Sequence, residues 1–92
     1  MFTVVTPESF LKRAHKFLKK NPQLKTQLEK VIEELIAAPF QPHLKLHPLK
    51  GKLKGLYAVS LTYSYPITLT LEVTEKEIIL LDIGSHDEVY RD

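Results

Sequence analysis

One histidine in this chain stands where proton-transfer chemistry could be mounted. His86 falls in Gly84-Ser85-His86-Asp87-Glu88-Val89-Tyr90-Arg91, directly after the most continuously apolar run of the sequence. An imidazole with an ordinary pKa of ~6.5 gives and takes protons at neutral pH. A strand end is rigid support for such a group. Tyr90, four residues on, carries a ring able to stack on a nucleic-acid base. His47 falls in Lys45-Leu46-His47-Pro48-Leu49-Lys50-Gly51-Lys52-Leu53-Lys54-Gly55. Lys50, Lys52 and Lys54 are point charges suited to phosphate, and the glycines let the backbone bend around them. As bare patterns, the two segments equally describe a C-terminal turn and a solvated Gly/Lys loop.

The remaining histidines read as structural. His15 lies beside Lys16 on a helical surface, and His43 sits in Pro42-His43-Leu44 with no partner at metal-ligand spacing. His43 and His47 are four apart but not on a helix, so no metal site is expected, and no cofactor motif is present. With no Cys, the chain has no disulfide, thiolate nucleophile or thiolate metal site.

Charge is unevenly distributed along the 92 residues. Residues 1–54 hold 11 Lys/Arg and 4 acids, a net of +7, whereas residues 55–92 hold 2 basic residues and 7 acids, a net of −5. No acid lies between Glu34 and Glu72, a window containing Lys45, Lys50, Lys52, Lys54 and two histidines. An unbalanced basic stretch attracts a phosphate-bearing partner. No apolar run approaches the roughly 20 residues of a membrane span, and residues 1–9 lack a basic-then-apolar leader, so a cytoplasmic protein is expected.

The elements that must position these groups follow from periodicity. Phe2 to Val5 reads as a first strand. Thr6-Pro7 starts a helix, with Thr6 as N-cap and Pro7 at its first position. Phe10, Leu11, Ala14, Phe17 and Leu18 give its apolar face, and Lys12, Arg13, Lys16, Lys19 and Lys20 its basic one. Asn21-Pro22 ends it and opens a second helix with a stripe from Leu24 to Ile36, stopped by Pro39. From Leu56 the period is two: Tyr57, Val59 and Leu61 alternate with Ala58, Ser60 and Thr62, and Ile67, Leu69, Leu71 and Val73 alternate with Thr68, Thr70 and Glu72. Glu77 to Ile83 is nearly continuous in its apolar residues, as a central strand would be, and short links favour a meander. The length fits one domain, residues 1–92. The expected fold is α+β, an N-terminal strand and helical hairpin packed on a small antiparallel sheet. The Ser60, Thr62, Thr68 and Thr70 face is either solvated surface or the floor of a cleft, and Ser85 onward is a polar tail.

This order of elements, the Lys50-Gly51-Lys52-Leu53-Lys54-Gly55-Leu56-Tyr57 segment and the Gly84-Ser85-His86-Asp87-Glu88-Val89-Tyr90 ending resemble the RelE/ParE toxin superfamily, in its YafQ-like mRNA interferase branch. The resemblance implies the toxin of a type II toxin–antitoxin system. Its partners would be a cognate antitoxin and mRNA in the ribosomal A site, and the toxin would be monomeric or held in a toxin–antitoxin hetero-oligomer. The reaction implied is metal-independent attack of a ribose 2′-hydroxyl on the adjacent phosphate. By the same resemblance His86 is the general acid or base and His47 assists. Lys50, Lys52, Lys54 and Arg91 hold phosphates, and Tyr65 and Tyr90 stack. Ser60 and Ser64 stand where the branch has a His and an Asp. Pro66, in Tyr65-Pro66-Ile67, stands where many superfamily members have Arg. An arginine there would be a fixed phosphate ligand, so Pro66 marks an altered site position and predicts attenuated activity, raised by Pro66→Arg. The alternatives within the superfamily are a ParE-like gyrase inhibitor and a catalytically silent antitoxin-binding protein.

Overall fold

The computed structural model describes residues 1–90; Arg91, expected to bind phosphate, lies outside the described residues. The order is β1 (Thr3–Val5), α1 (Glu8–Lys20), α2 (Lys25–Ala37), β2 (His47–Pro48), β3 (Tyr57–Thr62), β4 (Tyr65–Glu72), β5 (Glu77–Ile83) and α3 (His86–Val89). Single 3₁₀ turns at Pro22–Leu24, Pro42–Leu44 and Gly51–Leu53 join them.

The sheet runs β1-β5-β4-β3-β2. β3, β4 and β5 form the expected antiparallel meander, and β2 adds antiparallel to β3. β1 pairs parallel with β5, Val4 opposite Ile78, so the sheet is mixed at one edge. The two helices between β1 and β5 allow this, because parallel neighbours need a long crossover. β5 thereby has a neighbour on each side, in keeping with its nearly continuous apolar run.

The period-two and helical stripes meet in one core. Phe10, Phe17, Leu28, Val31 and Leu35 of the helices pack on Val59, Leu61, Ile67, Leu69, Ile78 and Leu80 of the sheet. Local details differ from expectation at α1. Pro7, not Thr6, is the N-cap, and no side chain caps the helix. Proline has no N–H to lose there, and Leu11 N–H still closes the first turn on the Pro7 carbonyl. The second helix begins three residues late because Pro22–Leu24 forms a 3₁₀ turn first.

The sheet face away from the α1/α2 core is not the open polar floor that the threonines suggested. Ala58, Pro66 and Thr68 are all buried there. The supposed polar tail is the reason at hand: residues 86–89 form α3, which packs against β4 and β5 and buries Val89 outside the main core cluster.

Candidate active site

Gly84-Ser85-His86-Asp87-Glu88 is a helix start. The Glu88 N–H donates to Ser85 Oγ at 3.3 Å, and the Ser85 N–H donates to Glu88 Oε1 at 2.9 Å, a reciprocal capping box. A Cβ on Gly84 would lie 2.8 Å from Glu88 Oε1, so a larger residue there would push the folded-back carboxylate aside. The Ser85 N–H donated to it, first, and then the Ser85 side chain hold the Glu88 carboxyl below the usual carboxylate range, and Lys20 and Lys16 act in the same direction. The box sets the first turn rigidly at the end of β5 and puts His86 at its first helical position, exposed. Tyr90 stacks a tilted ring against it at 5.6 Å between centroids. Burial pushes the Tyr90 phenol upward, so it is a neutral wall beside the imidazole.

His86 borders a groove of about 470 Å³ whose other walls include Lys45, Ser60 and Thr62. Tyr63, at the β3–β4 turn, lines the same groove and is 90% exposed. An aromatic ring held in open solvent beside an imidazole is a stacking surface, and the sequence analysis did not single it out.

His47 sits on β2 opposite Ala58. Its Nδ1 donates to the Lys45 carbonyl at 2.7 Å, which fixes the tautomer in the neutral ring and leaves Nε2 free. Lys45 takes a left-handed conformation, φ 54°, that helps aim this carbonyl. His47 is not among the side chains lining the His86 groove. Gly51 and Gly55 adopt φ +67° and +98°, which explains both glycines of the basic segment. Lys50, Lys52 and Lys54 are exposed and take part in none of the ion pairs among the described residues.

Two expected site residues lie elsewhere. Tyr65 packs edge-on against Phe17 at 5.0 Å, and its hydroxyl donates to Asn21 Oδ1 at 3.4 Å. It is half-buried and lines a different groove, of about 370 Å³, rimmed by Arg13, Lys16 and Lys20 of α1. Its ring is thus committed to the helix, and it does not join His86. Pro66 shares a face with Thr68, as the alternation required, but it is buried. β5 pairing begins only at Ile67, so proline's missing N–H falls beyond that ladder. An arginine at 66 would have to bury its charge or carry it out past its neighbours to reach a phosphate.

The family comparison agrees with this architecture. Residues 3–91 match the model of the bacterial toxin of type II toxin–antitoxin systems, YafQ. The metal-bound toxin from Helicobacter pylori is 33% identical over 97% of this chain and 99% of that one, with a TM-score of 0.76. YafQ from Escherichia coli strain BL21(DE3) shares the fold at 18% identity, TM-score 0.79, over 98% and 99% of the two chains. The toxin chain of the E. coli DinJ–YafQ complex shares it at 20% identity, TM-score 0.77, with the same coverage. No curated protein matches the chain in sequence. The fold is thus that of a RelE/ParE-type toxin. The chain belongs to the YafQ family of type II toxin–antitoxin toxins. The bound metal is a property of the H. pylori protein; among the described residues of this chain, no three His, Cys, Asp or Glu side chains converge on a point that could hold one. No helix among the described residues is long and apolar enough to cross a membrane.

Proposed function

We propose that this chain is an mRNA endoribonuclease that acts on ribosome-bound message and is silenced by a cognate antitoxin. The observation that carries the reading is the mounting of His86: an exposed imidazole, locked by the Ser85–Glu88 box, on a groove walled by Lys45 and the open ring of Tyr63. Cleavage requires a base for the 2′-hydroxyl, an acid for the departing 5′-oxygen and positive charge for the phosphorane. His86 serves as the acid. His47, its Nδ1–H engaged by the Lys45 carbonyl, assists from a fixed orientation outside that groove. Lys50, Lys52 and Lys54 hold the flanking phosphates, while Tyr63 and Tyr90 steady the bases. The E. coli homologue that crystallised with DinJ supports the antitoxin part of the reading.

The test is cutting of mRNA on programmed ribosomes by the purified protein. His86→Ala should slow cutting ~10²–10⁴-fold, the range of a lost proton-transfer group, with unchanged melting temperature. An unaltered rate would remove His86 from the mechanism. Intact mRNA together with trapped DNA breaks would point instead to gyrase.

A further inference from the structure

The groove bordered by His86 contains a second imidazole for which sequence spacing gave no signal. His43, on the Pro42–Leu44 turn, lines it too. Its Nε2 lies 2.6 Å from Oε2 of Glu34, in the last turn of α2. The sequence reading gave His43 no partner, because the pair is nine residues apart and joined only by the turn of the chain after α2. The two groups are unequally placed: the Glu34 side chain is 19% exposed and that of His43 56%. A carboxylate tucked behind an imidazole that still meets solvent is the arrangement of an oriented proton acceptor. With Glu34 accepting, Nε2 is the donor and Nδ1 keeps its lone pair in the neutral ring. The turn itself is fixed, since Leu44 is buried and its N–H closes on the Gln41 carbonyl.

We infer that His43 is the general base of the cleavage and Glu34 its positioning residue; the inference rests on the ribonuclease reading above. His43 Nδ1 takes the 2′-hydroxyl proton as O2′ bonds to phosphorus. The bond from phosphorus to O5′ breaks, and protonated His86 gives its proton to O5′. The products are a 2′,3′-cyclic phosphate and a 5′-hydroxyl, and solvent exchange returns both imidazoles to their starting states. Paired imidazoles in one groove account for both proton transfers without calling on His47, which is tied to a carbonyl outside it.

His43→Gln separates chemistry from structure, because glutamine keeps an N–H donor toward Glu34 but cannot accept the proton. On programmed ribosomes His43→Gln should lower kcat by ~10²-fold or more at unchanged KM and melting temperature. Added imidazole should partly restore His43→Ala, and Glu34→Gln should lower kcat by roughly tenfold with little change in KM. A wild-type rate in His43→Gln while His86→Ala is inactive would show the pair to be only a clasp between α2 and the turn, overturning the inference and leaving the ribonuclease reading intact. A loss matched by a lower melting temperature, with no imidazole rescue of His43→Ala, overturns it as well. Absence of any cutting by the wild-type protein overturns the ribonuclease reading and the inference with it.

Discussion

The two grooves of this toxin differ in the kind of charge they offer. The one beside α1 is rimmed by Arg13, Lys16 and Lys20, cations at every physiological pH, over a floor that includes Phe17 and Tyr65. Arg13 is partly spent there, donating to the Leu81 carbonyl at 3.2 Å and pairing with Asp82 at 3.8 Å. The other groove holds imidazoles, serine, threonine and one lysine. Fixed cations attract and orient a polyanion but cannot pass a proton at neutral pH, whereas imidazoles can do so. One surface thus reads as attraction and the other as chemistry, and α3 joins them, since Ser85 and Glu88 border the first and His86 the second.

A permanent charge on the buried face of β4, which lines neither groove, should have the most severe effect. Pro66→Arg would bury a guanidinium beneath the sheet face and is expected to cost about 3 kcal/mol of stability, read from denaturant unfolding, while cutting per folded molecule does not rise. Unchanged stability with greater toxicity would restore position 66 as a site for a phosphate ligand. On the attracting side, Lys16→Glu with Lys20→Glu should weaken RNA affinity roughly tenfold and flatten the dependence of log Kd on log salt by about 1.4, since each phosphate contact on a single strand contributes about 0.7. The first-order cutting rate of pre-bound RNA should change far less. A loss confined to that rate would place the chemistry in the wrong groove.

The link between the grooves gives the smallest effect. Ser85→Ala removes the hydroxyl that caps α3 and should lower stability by about 1 kcal/mol, with a larger proportional loss of cutting as His86 loses its mounting. The Glu88 contribution also fixes a pH window. Its carboxyl is held below the ordinary range in the folded state, so the box is fully favourable at neutral pH. That contribution is lost as pH falls from the usual glutamate range, ~4.3, through the lower folded-state value. Thermal unfolding of wild type and Glu88→Gln compared from pH 7 to pH 3 should therefore converge at the acid end. A constant gap would show that the box carries no ionic part.

Local sequence determined the elements of this protein because periodicity and helix breakers act over a few residues. The stripe of Phe10, Ala14 and Phe17, the alternation through β3 and β4, and the apolar run of β5 each specify their own secondary structure and buried face. The segment carrying His86 read as a polar tail, although a glycine, a serine and a glutamate within five residues encode its helix start locally. What the chain could not announce is which distant groups meet. Glu34 reaches His43 only because the turn after α2 folds back, Tyr65 is drawn to Phe17 and Asn21 by helix packing, and Pro66 is buried on a face that its neighbours made look polar. The parallel pairing of β1 with β5 is of the same kind. Contacts across such separations depend on how whole elements dock to bury apolar surface, a collective quantity that no local pattern of residues encodes.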